Sequence, residues 1–129
     1  MKLKQILKLG AALAVCLNLA SAKSLEQIKK DGVITIATEG VYSPFSFHNE
    51  KDELMGYDVE IARAVADKLG LKPKFIEASW DAMLAAFDAG KADTVFNQVS
   101  ITEERKKKYD YSVPYMTSYS AIIVHEDND

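Results

Sequence analysis

Cysteine is nearly absent from this chain: Cys16 is the only one in 129 residues. A lone thiol cannot close a disulfide within the chain, and it excludes the zinc sites built from paired cysteines. Histidine is almost as scarce. His48 lies near a predicted hairpin tip and His125 in a polar tail, so neither has a partner at metal-ligand spacing. The six glycines form no phosphate loop. Basic residues do not prevail either: 16 Lys and Arg face 19 Asp and Glu, for a net charge of −3. That balance argues against nucleic acid or an anionic membrane surface as a partner. No nucleophile has an obvious base beside it in sequence. Beyond the N-terminal segment no apolar run is long enough to span a bilayer, which takes about 20 residues. Repeats, low-complexity tracts and linkers are also missing. What remains reads as one small domain with no visible metal, cofactor or catalytic chemistry.

The N-terminus has its own pattern. Lys2, Lys4 and Lys8 make a positive start, and residues 9–19 are apolar apart from Gly10, Cys16 and Asn18. Ala20, Ser21 and Ala22 then give the small-x-small pattern that a signal peptidase cleaves. The expectation is a cleaved signal peptide over 1–22, a mature domain over 23–129, and a periplasmic destination. Residues 13–16 resemble a lipobox, but Val15 fits poorly before the cysteine and the apolar run continues, which disfavours a lipid anchor at Cys16. Cleavage removes Cys16 and three lysines. It leaves 107 residues carrying 13 basic and 19 acidic side chains.

The mature segment alternates helix and strand patterns. Residues 24–30 read as a helix capped by Ser24, with Gln27 at capping-box spacing and Asp31 and Gly32 at its end. Residues 33–38 are a β-branched run that reads as a buried parallel strand. A loop over 39–44 and a hairpin over 45–55 follow, with a polar tip at 49–52. Asp58 occupies an N-cap position. Ile61, Ala62, Val65, Ala66 and Leu69 then recur at helical spacing up to Gly70. A second strand is expected over 74–77, a second long helix over 80–89 and a third strand over 94–96. Strand, helix, strand, helix, strand is the pattern of right-handed βαβ units and a parallel sheet. Further on, Thr102 caps a short charged helix through Lys108, residues 111–113 are extended, and residues 119–124 form a last apolar strand.

Parallel sheets collect ligands beyond the carboxyl ends of their strands. The stretches 39–47 and 97–105 are therefore the first places to look. Arg105 stands out, because a guanidinium beside a helix start can grip a carboxylate through two parallel hydrogen bonds. It also sits beside Lys106, Lys107 and Lys108, and the pattern alone favours an ordinary solvated basic face. Tyr42, Phe45, Phe47 and Trp80 fall at loops and element ends, where aromatic rings suit the apolar part of a small ligand or simply pack the core. Glu39, straight after a buried strand, is equally a receiver for an ammonium group and a solvated loop residue.

Five stretches in order carry a resemblance. They are 32–47 (GVITIATEGVYSPFSF), 56–62 (GYDVEIA), 79–84 (SWDAML), 89–93 (AGKAD) and 97–112 (NQVSITEERKKKYDYS). Together they resemble the periplasmic solute-binding proteins of family 3, which serve polar amino acids, and most of all the cystine-binding members. The resemblance implies an α/β fold: a type II periplasmic-binding-protein lobe, with a central mainly parallel sheet flanked by helices. It implies an amino-acid ligand, an ABC importer with a membrane permease as partner, and no cofactor, metal or catalytic residue. Arg105 would hold the ligand α-carboxylate, helped by the backbone N–H and hydroxyl of Ser100. Gln98 and the backbone around Val99 would line the pocket near the α-ammonium. Tyr42 and Trp80 would sandwich the side chain, and Glu39 and Asn97 would set its selectivity.

Members of that family are about twice this length and have two lobes. The expectation is therefore that residues 23–129 hold only the N-terminal part of lobe one. Half a site leaves ligand charges partly in water, so the chain alone should bind weakly or not at all. Two rival readings share the clamp fold: an enzyme similar to cyclohexadienyl or arogenate dehydratase, and an extracytoplasmic ligand-sensing domain.

Overall fold

The computed structural model describes residues 22–127, so the expected signal peptide with Cys16 lies outside the described residues but for Ala22. The described residues divide into two units, one ending at Val99 and one beginning at Ser100. In chain order the first unit builds α1 (Leu25–Asp31), β1 (Val33–Thr38), β2 (Val41–Tyr42), β3 (Ser46–His48), β4 (Leu54–Met55), α2 (Tyr57–Lys68), β5 (Lys72–Glu77), α3 (Trp80–Asp88) and β6 (Thr94–Val95). No helix among the described residues is long and apolar enough to cross a membrane.

Local chemistry explains most of these elements. The Ser24 hydroxyl accepts a hydrogen bond from the Gln27 N–H at 3.2 Å and starts α1. Gly32 ends it at φ 71°, a left-handed conformation that costs a glycine nothing. The β-branched run of β1 becomes the middle strand of a parallel sheet in the order β5-β1-β6. Its register runs from Val33 opposite Lys72 to Thr38 opposite Glu77, and on the other side Ile36 pairs with Thr94 and Ala37 with Val95.

With a strand on each edge, β1 has its two faces left to helices, and both are covered. On one face Ile34 and Ile36 pack with Ile28 of α1, Ala62 and Ala66 of α2, and Leu71. On the other, Ala37 packs with Met83 of α3 and Ala92. Each large apolar side chain fully withdrawn from water contributes about 1.5–3 kcal/mol. The pleat thus assigns α1 and α2 to one layer and α3 to the other. This is the α/β lobe expected from the sequence.

Two details of the first unit differ. Residues 41–42 are not loop: they form β2, which pairs antiparallel with β3, and β3 pairs with β4, so the hairpin is the second half of a small meander. Asp58 is not an N-cap. The cap residue is Gly56 and makes no side-chain cap hydrogen bond. The N–H groups of Tyr57 and Asp58 donate instead to the carbonyls of Pro44 (3.0 Å) and Phe45 (2.9 Å), so backbone of the preceding loop caps α2 and Asp58 turns inward.

In the second unit the charged helix expected through Lys108 shrinks to a single 3-10 turn, Arg105–Lys107. Four consecutive cations and no apolar stripe leave a short helix nothing to lean on. Residues 119–124 form no strand. A strand needs a ladder partner, and none of the described residues supplies one. Tyr119, Ile122 and Ile123 are each more than 90% exposed.

Candidate functional site

Because β1 and β6 run parallel, their carboxyl ends emerge side by side, and the sequence places polar residues at both. Asn97, two residues past β6, is buried. Its Oδ1 accepts hydrogen bonds from the Thr38 hydroxyl (3.0 Å), the Glu39 N–H (2.9 Å) and the Ser46 hydroxyl (3.3 Å). Its Nδ2 donates to Glu39 Oε2 at 2.7 Å. The Ser46 oxygen in turn accepts from the Gly40 N–H at 3.2 Å. One amide therefore locks the end of β1, the loop after it and strand β3 into one network. Glu39 is half-buried and pinned, unlike a solvated loop residue. Asn97 and Glu39 are brought together, with Asn97 as the organiser.

Gln98 follows in a left-handed conformation, φ 51°, which is rare outside glycine and costs about 1–3 kcal/mol. Its Nε2 donates to Asp58 Oδ1 at 2.6 Å. Asp58 is completely buried. It was not among the site candidates, and a carboxylate just ahead of an apolar helical stripe matches the N-cap template so well that the sequence offers no sign of its inward turn. Val99 is half-buried.

The aromatic candidates divide. Tyr42 is 43% exposed, with its ring 5.0 Å from that of Phe45 at an interplanar angle of 52°. Trp80 is half-buried and packs against the Ala37, Met83 and Ala92 cluster, so much of its ring serves the core. Phe45 and Phe47 are both half-buried.

A second polar cluster escaped the sequence reading. His48 Nε2 lies 2.7 Å from Glu77 Oε2, and His48 Nδ1 lies 3.1 Å from the Asp52 carbonyl. The contact joins the meander to the end of β5. The Glu77 carboxylate raises the His48 pKa above its ordinary value, and the Asp52 carbonyl adds to the effect. Sequence spacing could not find it, because His48 and Glu77 stand 29 residues apart.

In the second unit Arg105 is half-buried and its Nη1 donates to the Ser100 carbonyl at 3.2 Å. The Arg105 N–H donates to the Thr102 hydroxyl at 3.2 Å, which orders the turn. Arg105 also lines an open depression with Thr102, Glu104, Lys108 and Tyr109. Lys108 Nζ sits 4.9 Å from the centre of the Tyr109 ring, a cation–π contact. Ser100 and Arg105, paired by the resemblance, are neighbours here.

Comparison with known proteins decides the family. Residues 34–129 match the model of the bacterial extracellular solute-binding proteins, family 3. The chain belongs to that family. It is 47% identical to the L-cystine-binding protein TcyA of Bacillus subtilis over 103 residues, which cover 79% of the chain and 38% of TcyA. Among solved structures it resembles the unliganded open L-cystine solute receptor of Neisseria gonorrhoeae: TM-score 0.67 and 48% identity, over 73% of the chain and 40% of the receptor. It also resembles the arginine-bound form of domain 1 from TmArgBP: TM-score 0.66 and 31% identity, over 69% of the chain and 71% of that domain. A cyclohexadienyl dehydratase of Pseudomonas aeruginosa is 33% identical over 114 residues, covering 88% of the chain and 42% of the enzyme. The chain spans about two-fifths of the length of these curated relatives. The fold is the type II periplasmic-binding-protein lobe, with its parallel sheet between helices.

Proposed function

We propose that this chain supplies first-lobe contacts for an amino acid captured outside the cytoplasm, on behalf of an ABC importer and its membrane permease. The observation that carries the reading is the pinned Glu39 carboxylate at the end of β1, held by Asn97 at 2.7 Å, in a family whose relatives at 41–47% identity include L-cystine-binding proteins. A carboxylate oriented by a buried amide suits an ammonium group. Cystine has an ammonium at each end and so offers one to Glu39 while its other end is bound as an α-amino acid. In this reading Arg105 grips the α-carboxylate with Ser100, and Gln98 with the Val99 backbone lies near the α-ammonium. Tyr42 and Trp80 flank the side chain, and Glu39 and Asn97 select it. No residue is assigned a catalytic or metal-binding role. Export through the segment 1–22 and periplasmic residence belong to the same proposal. The dehydratase relative is less similar than the cystine-binding ones, and nothing in the geometry favours that chemistry.

A half-site holds a zwitterion partly in water, so affinity is low. The arginine-bound lone domain 1 of TmArgBP supports a single domain retaining measurable binding. The test is titration of the ¹⁵N-labelled chain with L-cystine and with L-arginine, followed by amide shifts. The expected dissociation constant is on the order of 1 mM, or about −4 kcal/mol. Arg105→Ala should abolish the shifts and leave the dispersed spectrum of the folded chain. Unchanged titration of Arg105→Ala removes Arg105 from the site, and the absence of any shift in the wild type removes binding by this chain.

A further inference from the structure

We propose that Asp58, which belongs to none of the ligand-contacting positions, is the positioning residue of the turn 97–99: its carboxylate holds the Gln98 side chain and so keeps the Gln98 backbone left-handed. The inference rests on the binding role proposed above for Gln98 and Val99. Three observations meet here. Asp58 is completely buried, an expensive place for a carboxylate. It lies in the first turn of α2, where the helix dipole favours negative charge. Its Oδ1 receives the Gln98 amide at 2.6 Å, the length of a strong charge-assisted bond.

The bond falls where the backbone is strained. A residue with a Cβ occupies φ 51° only when its surroundings over-determine it. Asn97 supplies one constraint, through its bonds to Thr38, Glu39 and Ser46. Asp58 supplies the other, forty residues away in sequence. Two adjacent side chains are thus tied to different elements, and the turn between them cannot relax. Released from Asp58, residue 98 would move towards an ordinary backbone region and re-aim the Gln98 and Val99 peptide groups.

Glycine adopts a left-handed backbone without strain. Gln98→Gly should therefore make the turn independent of Asp58, which gives a double-mutant cycle. The four proteins are wild type, Asp58→Ala, Gln98→Gly and the double variant, each as the full chain. The first readout needs no ligand: a strong intraresidue HN–Hα NOE at position 98 marks positive φ. It should be present in the wild type and lost in Asp58→Ala; in the Gln98→Gly variants, where one of the two glycine Hα protons lies near HN at either sign of φ, the binding readout decides. The second readout is the L-cystine titration. Asp58→Ala should weaken binding about tenfold, or ~1.4 kcal/mol, and should have little further effect in the Gln98→Gly background. Where Asp58→Ala does not fold, Asp58→Asn takes its place in the same cycle. A retained NOE in the folded Asp58 variant overturns the proposal. So does an equal loss of binding with and without Gln98→Gly. If the wild type does not bind cystine, the functional reading fails, while the NOE still decides whether Asp58 holds the turn.

Discussion

A methyl group at Gly56 would lie 2.6 Å from the carbonyl carbon of Phe45 and 2.9 Å from the Pro44 oxygen. The backbone there is at φ 123°, and the obstructing atoms are main chain already engaged in capping α2. Neither side can give. Gly56→Ala should cost about 2–4 kcal/mol in denaturant unfolding, the sum of backbone strain and overpacking; a variant as stable as wild type would show that the helix start can shift. His48 gives the pH-dependent counterpart. Its folded-state pKa is raised, chiefly by Glu77, so the contact stabilises the protonated form. That stabilisation is complete below the unfolded-state value, about 6.5, and fades as pH rises through the higher folded value. Because the contact is solvent-exposed, the effect is small. The advantage of wild type over His48→Gln in thermal unfolding should therefore shrink between about pH 6 and 8. A gap that widens with pH would mean that the histidine acts as a neutral partner.

At the scale of elements, α3 is the most vulnerable piece. Its one fully buried side chain, Met83, closes the face of the sheet that holds Ala37 and Ala92. Met83→Ala should cost about 2–5 kcal/mol in chemical denaturation, and a loss below 1 kcal/mol would mean that Trp80, Leu84 and Phe87 collapse into the space. Elements were legible where the signal is local. The cap at Ser24, the stop at Gly32 and the β-branched run of β1 each sit within a few residues of what they control. The reading failed where a partner decides. Residues 41–42 look like loop until β3 lies beside them. Residues 119–124 look like strand, but a ladder has two sides, and the second is not among the described residues.

For the whole molecule, protection should follow depth. Amide exchange should be slowest in β1, which has a strand on each edge and helices on both faces, and fastest over 113–124. Protection over 113–124 equal to that of β1 would show pairing by a partner in solution. The family was legible because it rests on order along the chain: five stretches in sequence, each modest alone, run from residue 32 to residue 112. Six of the eight proposed contact residues fall in the first unit and two in the second. Of those in the first unit, Glu39 and Asn97 are bonded to each other.

The sequence by itself determined the alternation of helix and strand, the buried parallel character of β1, the helix boundaries at Ser24 and Gly32, and membership of the family. The elements depend on caps, turns and hydrophobic periods that act over about ten residues or fewer, and the family on the order of five stretches along the chain. Only the tertiary structure decided that Asn97 locks Glu39, that Asp58 turns inward to Gln98, and that His48 meets Glu77. Those partners lie 58, 40 and 29 residues apart. Asn97 and Glu39 meet because the order β5-β1-β6 sets the ends of β1 and β6 side by side, whereas the other two pairs tie that sheet to α2 and to the meander; buried polar groups must bond whatever such an arrangement places within reach.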